Sequence, residues 1–417
     1  MRKLLKEFTR KDRLPLLGGL VYCFSIPLFQ IVATGAMILW LVLALIGGMR
    51  EAAERRMLLI PIGLFLIYLL SFLFAPSDAY DILERKLSLI VFPIIFYFSS
   101  YTRTERVLLL RGFLLGLTLS GFCCLAFALL RSFDIFEGVL IFQPAVLYGK
   151  GFFESILYGG NYFFGRYFSM FHQTVYYAIY LCIGVAILLH KDDIVGSKFR
   201  RWILLGFFVF LIFLISNKDG FLGLASILLL FTLQYARRLS MKIALIVALV
   251  AATSIYTLAN PRMNESVRKI LSGKIELDQN ARYGFSTRLL SWDASLNLIR
   301  VRPFRGYGVA HAQDALDAEY KRLEYAFPLR EHLNAHNQFL QFWIETGVIG
   351  SISWGLILAF LCFRAIHFSL SNKYLILSFV LLLFVNSLFE SVMNRFSGIS
   401  FISFFLCFLL TINKDET

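Results

Sequence analysis

The sequence predicts an all-α polytopic membrane protein, with about twelve transmembrane helices and one long, partly helical loop between spans nine and ten. Three observations predict it. Of 417 residues, 58% are hydrophobic and 44 are Phe, more apolar side chain than a single soluble core absorbs. Those residues fall in runs close to the roughly 20 that a bilayer core about 30 Å thick demands of a spanning helix. Lys and Arg punctuate the runs instead of forming a basic face on a polar domain, so the formal charge of +14 reports topology and not nucleic-acid binding.

Taken in order, the runs lie near 14–30, 32–48, 57–75, 87–100, 107–130, 168–190, 202–217, 219–235, 242–259, 338–363, 374–390 and 396–413. Only short turns, Gln30 to Thr34 and Asn217 to Gly220, divide the stretches 14–48 and 202–235. The first run continues into another without a small-residue cleavage site, and is expected to act as an uncleaved signal anchor. Arg2, Lys3, Lys6, Arg10, Lys11 and Arg13 precede it. Alternate loops then carry Arg50, Arg55 and Arg56; Arg103 and Arg106; Lys191, Lys198, Arg200 and Arg201; Arg237, Arg238 and Lys242; and Arg364 with Lys373. Short basic loops stay in the cytoplasm, which places both termini there. The opposite face receives the segments 131–167 and 260–337, dividing the chain into 1–259, 260–337 and 338–417. The cations of 260–337 do not oppose this topology, because long loops are exempt from the charge rule.

Within 260–337, Ser286 is a candidate cap for a helix whose Phe285, Leu289, Trp292, Leu296 and Ile299 recur at three- and four-residue spacing. Pro303, Gly306 and Gly308 break that helix, and 311–327 reads as a second one. The smaller segment is rich in aromatics, among them Tyr148, Phe152, Phe153, Tyr158, Tyr162, Phe163 and Phe164. They form an interfacial belt, and so sparsely charged a loop can dip into the outer leaflet or cover a lipid. The six cysteines, Cys23, Cys123, Cys124, Cys182, Cys362 and Cys407, all fall in apolar runs and read as buried thiols. The outer loops hold no compact set of metal-ligand residues, Asp78 and Asp81 being the nearest to an exception, and no cofactor is expected.

The most informative stretch runs from His336-Asn337-Gln338 into the apolar residues that end at Gly347 and Gly350. An imidazole at that boundary faces the outer water, where a neutral histidine can take a proton near pH 7; alternatively it only bonds loop backbone. The His-Asn pair, nine residues and a glycine resemble a motif of the O-antigen ligase and polymerase family. Ser286-Thr287-Arg288 followed by Trp292, and then Pro303-Phe304-Arg305-Gly306-Tyr307-Gly308, resemble two further segments of that family in the same order.

The resemblance implies transfer of a glycan carried on undecaprenyl diphosphate to an acceptor sugar hydroxyl. The acceptor would be lipid A core in a ligase or another lipid-linked repeat in a polymerase, at the periplasmic face of a bacterial inner membrane. It assigns His336 as general base and Arg288 as a diphosphate cation, arginine's planar fork being suited to phosphate oxygens. The family's Ser-Arg-Gly turn reads Ser216-Asn217-Lys218-Asp219-Gly220 here, so Lys218 is the candidate replacement for its arginine, with Asp219 able to neutralise it. Glu390 can orient His336, bind acceptor sugar or pair with Arg395. Asn337, His172, Arg166 and Arg305 are candidate cavity or acceptor residues, and ionisable groups near lipid face a cavity or a partner. A ligase is the expected activity, a polymerase the alternative. A lipid or solute transporter is the alternative of another class, against which stands the lack of internal repeats.

Overall fold

The computed structural model describes residues 13–49, 54–74, 80–147, 149–235, 238–271, 278–279, 281–282 and 284–412. The basic residues from Arg2 to Lys11, and Arg50, Asp78, Tyr148, Arg237 and Lys274, lie outside them. Six helices come first: α1 (Leu14–Ser25), α2 (Gln30–Gly47), α3 (Leu59–Phe74), α4 (Tyr80–Glu84), α5 (Ser88–Phe98) and α6 (Arg103–Arg131). Strands β1 (Phe133–Phe136) and β2 (Val139–Phe142) follow. Then come α7 (Phe152–Leu157), α8 (Thr174–His190), α9 (Lys198–Ile215), α10 (Lys218–Tyr235), α11 (Leu239–Ala259) and α12 (Pro261–Leu271). The remainder comprises α13 (Phe285–Val301), α14 (Ala312–Arg322), α15 (Ala326–Arg330), α16 (Gln338–Thr346), α17 (Val348–Ala365), α18 (Leu370–Phe389) and α19 (Phe396–Leu410).

Each apolar run of the sequence contains helix, although the run 168–190 is helical only from Thr174. Among the described residues, six helical stretches are long and apolar enough to cross a membrane: α2, α3 with its preceding turn, α6, α11, α17 and most of α18. Helices α1, α8 and α19 are apolar but shorter. The 11 residues of α5 rise only about 16 Å at 1.5 Å each, roughly half a bilayer core, so helix length alone does not yield twelve full spans.

The structure departs from the sequence reading in three places. The run 338–363 is not one helix, because Gly347 stands between α16 and α17 at φ 73° and ψ −169°, a region essentially restricted to glycine. The fold is not purely helical either, since β1 and β2 pair antiparallel with Phe133 opposite Phe142 and Phe136 opposite Val139. Their two-residue turn has Glu137 at φ 50° and Gly138 at φ 79°, the sign required by the tight turns that match strand twist. Finally, Ser286 lies inside α13 and Gly284 holds the cap position. The face that α13 buries contains Thr287, Leu290, Ser291, Ala294, Ser295 and Leu298, whereas Leu296 of the expected stripe is 44% exposed. Small residues win that face because other parts of the 281–344 segment, including Leu316, Tyr320 and Tyr325, pack against it.

The chain divides into two compact units. The first comprises 1–40, 101–273 and 368–382. In it α1 approaches α6 so closely that a Cβ at Gly116 would overlap the Phe24 carbonyl, and Trp40 Nε1 donates to Tyr101 Oη at 2.9 Å. Thr102 and Glu105 form a reciprocal cap that starts α6. Helix α8 is buried almost throughout, whereas α11 buries no residue, as a helix surrounded by lipid can. The second unit comprises 41–100, 274–367 and 383–417. At its centre α19 is buried from Ser397 to Leu410, with Phe404 packed on Phe92 and Phe96 of α5.

Two turns of the second unit interlock through backbone. Tyr307 N donates to Ile344 O at 2.7 Å, and Val348 N to Pro303 O at 3.1 Å. Trp343 Nε1 adds a bond to the same Pro303 carbonyl at 2.7 Å. A Cβ at Gly306 would overlap Ile344 O, and one at Gly347 would overlap Phe304 O. Gly347→Ala should therefore lower the melting temperature of the detergent-purified protein by an amount equivalent to at least about 1–3 kcal/mol, while Gly35→Ala, a helical position with open space around it, should leave it unchanged or raise it.

Candidate active site

His336 is positioned by its immediate neighbours. It sits at φ 45°, a left-handed conformation that a residue with a Cβ adopts only when its surroundings enforce it. Its N–H donates to Asn334 Oδ1 at 2.9 Å, and Ser391 Oγ donates to that same oxygen at 3.2 Å. Trp292 Nε1, from α13, donates to the His336 carbonyl at 3.2 Å. Asn337 then starts α16, its Oδ1 accepting from Phe339 N at 2.9 Å and Leu340 N at 3.1 Å. Its Nδ2 donates to Leu388 O at 3.1 Å. The Asn337 amide is thus committed at both ends to holding the end of α18 beside the start of α16.

That junction brings Glu390 to the histidine, with Glu390 Oε2 3.2 Å from His336 Nδ1 and side chains 13% and 23% exposed. Ser391 N donates to the other carboxylate oxygen at 3.1 Å. Among the described residues Glu390 forms no ion pair with Arg395. Burial acts to raise the Glu390 carboxyl, but the His336 imidazole and then the Arg288 guanidinium outweigh it and hold the carboxyl below its ordinary value. An ionised carboxylate can only accept. In a neutral His336 bonded to it, Nδ1 would thus carry the proton and Nε2 the lone pair. Arg288, from the first turn of α13, lies with its guanidinium 5.9 Å from the centre of the Phe389 ring, against which Trp292 also packs at 6.3 Å.

Of the expected site residues, His336, Asn337, Glu390, Arg288 and Arg305 belong to the second unit, and the first four gather about the Phe389–Glu390 end of α18. Arg305 lies instead with its guanidinium 5.9 Å from the centre of the Phe74 ring. Lys218, His172 and Arg166 belong to the first unit. Lys218 opens α10 behind Ser216, which is left-handed at φ 52°, and Asn217, whose Oδ1 accepts from Gly220 N at 2.8 Å. Its neighbour Asp219 is 1% exposed. His172 is 7% exposed and lies edge-on to Tyr180 at 5.1 Å, while Arg166 stacks on Tyr167 and donates to its hydroxyl at 2.7 Å. Asn334, Trp292 as a carbonyl donor and Ser391 escaped the sequence reading. Among the described residues no group of three His, Cys, Asp or Glu is placed to hold a metal ion.

The arrangement is a histidine bonded to a buried carboxylate, with an arginine beside the neighbouring Phe389 ring, at the ends of apolar helices. The model of the family described as O-antigen ligase matches residues 203–355. Residues 203–355, less than half of the 417, are thus similar to the O-antigen ligase family. The matched segment contains Lys218, Arg288, Arg305, His336 and Asn337, and ends before Glu390. No curated protein matches the chain.

Two measurements probe this arrangement. Asn337→Ala should lower stability by about 1 kcal/mol through loss of the cap, and Asn337→Asp, which keeps the cap oxygen but sets a second oxygen against the Leu388 carbonyl, should lower it as well; chemical denaturation in detergent measures both. Because the Glu390 carboxyl titrates below its free-chain value, its pairing contributes stability that is complete above about pH 4.3 and is lost as pH falls through the lower folded value. Melting temperatures of the wild type should therefore fall toward those of Glu390→Gln on acidification below about pH 4.

Proposed function

We propose that the protein is an O-antigen ligase of a bacterial inner membrane, multi-pass with both termini cytoplasmic. It transfers a glycan from undecaprenyl diphosphate to a sugar hydroxyl of lipid A core at the periplasmic face. The observation that carries this reading is the His336–Glu390 pair, with Arg288 near enough to act on the same carboxylate. His336 Nε2 removes the proton of the acceptor hydroxyl, and the oxygen attacks the anomeric carbon. The bond from that carbon to the diphosphate oxygen breaks and its electron pair leaves with the carrier lipid. Glu390 stabilises the imidazolium so formed, and Arg288 the charge that develops on the diphosphate. A single displacement inverts the anomeric centre and, with diphosphate as leaving group, calls for no metal. On the family resemblance Lys218 is a second candidate cation for the donor, and Arg305, His172 and Arg166 are candidate acceptor contacts.

The test uses the full chain in proteoliposomes with undecaprenyl-diphosphate-linked glycan and lipid A core. Transfer should fall at least about 100-fold in His336→Ala, as expected on removing a general base, and comparably in Arg288→Ala; Lys218→Ala tests the second cation by itself. Product with retained anomeric configuration would refute the mechanism. Longer glycan on the carrier lipid, without transfer to lipid A core, would make the enzyme a polymerase. Passage of donor across the vesicle wall with no new glycosidic bond would make it a transporter.

A further inference from the structure

Lys86, in the turn before α5, is 2% exposed, although lysine is rarely buried without a partner and a task. Its Nζ donates to the Met393 carbonyl at 2.7 Å and lies 4.6 Å from the centre of the Tyr68 ring. Gln338 Oε1 accepts from the N–H of the same Met393 at 2.7 Å, so both backbone groups of one residue are held by buried side chains. One turn further along α16, Gln341 Oε1 accepts from Ala335 N at 3.0 Å and its Nε2 donates to Glu345 Oε1 at 2.8 Å. Glu345 is 3% exposed and opposes the Lys86 charge. The chain on either side of these anchors carries the candidate chemistry: Ala335 precedes His336, and Met393 follows Glu390 by three residues.

The remaining atoms of the cluster identify what it is not. Tyr68 Oη, Gln338 Nε2 and Glu345 Oε2 are buried without a hydrogen-bond partner among the described residues. A cluster serving stability alone would satisfy those groups or replace them with apolar ones. Three of the bonds made here lead to the turns bearing His336 and Glu390: Lys86 Nζ to Met393 O, Met393 N to Gln338 Oε1, and Ala335 N to Gln341 Oε1.

We propose that Lys86, with Gln338, Gln341 and Glu345 around it, is a positioning residue for the transfer reaction: it fixes the 390–393 turn against the 335–338 turn, and so keeps Glu390 within bonding distance of His336. This rests on the reading of His336 as base and Glu390 as its orienting carboxylate. Lys86 touches no reacting atom, and its effect passes through the Met393 carbonyl.

The experiment measures glycan transfer by the reconstituted full chain in a double-mutant cycle. Lys86→Met combined with Glu345→Gln removes the anchor without leaving one buried charge unopposed, and Gln341→Met cuts the other anchor should that pair fail to fold. Either should lower kcat about tenfold, the factor set by loss of one buried hydrogen bond, and leave the KM for donor within about twofold. In a Glu390→Gln background the same changes should cost less than about twofold, because the interaction they protect is already gone. A purely structural cluster would give equal losses in both backgrounds. Equal losses, or an unchanged kcat, overturn the proposal. If Glu390→Gln alone leaves transfer unaffected, the role assigned to Glu390 fails instead, a result that the cycle separates from the first.

Discussion

The second unit depends on the backbone interlock between the 303–308 turn and the break at Gly347. Hydrogen bonds from Tyr307 N to Ile344 O and from Val348 N to Pro303 O tie an irregular turn to the point where an apolar helix changes direction. Irregular backbone near a membrane persists only where its polar groups are satisfied by other protein groups, and each turn supplies what the other lacks. Gly306 and Gly347 are required because a Cβ on either would enter the carbonyl it faces. With the break fixed, α16 presents Asn337 and His336 at its start, the cap closes on Leu388 O, and Glu390 comes within reach. The chemistry is thus a consequence of where a helix is forced to stop.

The same constraint accounts for what was legible in the sequence. Lipid demands long apolar runs, so each run contains helix, and His336 and Glu390 stood out as ionisable groups at run ends. Hydropathy registers neither a glycine inside an apolar stretch nor its φ, so 338–363 read as one helix, although the spacing from His336 to Gly347 was visible. The hairpin at 133–142 hid for a related reason: apart from Asp134 its short strands are apolar, and Glu137-Gly138 was the turn signal. The helix at 285–301 showed its period but misled about its face, because packing among neighbouring loop elements favoured Ala294 and Ser295 over the larger Leu296. Lys86 gave no signal at all, since a cation beside Arg85 at a run boundary reads as solvated, and only packing takes it out of water.

The left-handed His336 is best understood by the balance of forces on its backbone. That conformation costs about 1–3 kcal/mol, and bonds from His336 N to Asn334 Oδ1 and from Trp292 Nε1 to the His336 carbonyl, each contributing about 1 kcal/mol, offset it. Strain maintained by dedicated side chains at a potential base is the expected mark of preorganisation.

The charges follow a similar logic through the transfer step. At rest the Arg288 guanidinium and the His336 imidazole keep Glu390 ionised against the burial that opposes it. Once His336 takes a proton, the carboxylate faces a full positive charge at 3.2 Å and its demand on Arg288 falls. The guanidinium is then freer to act on negative charge developing elsewhere, and on the proposed pathway that charge appears on the diphosphate at the same moment. A base and a phosphate cation coupled through one carboxylate can thus follow both ends of a displacement, one gaining a proton as the other gains an anion, with no group of the site leaving its place.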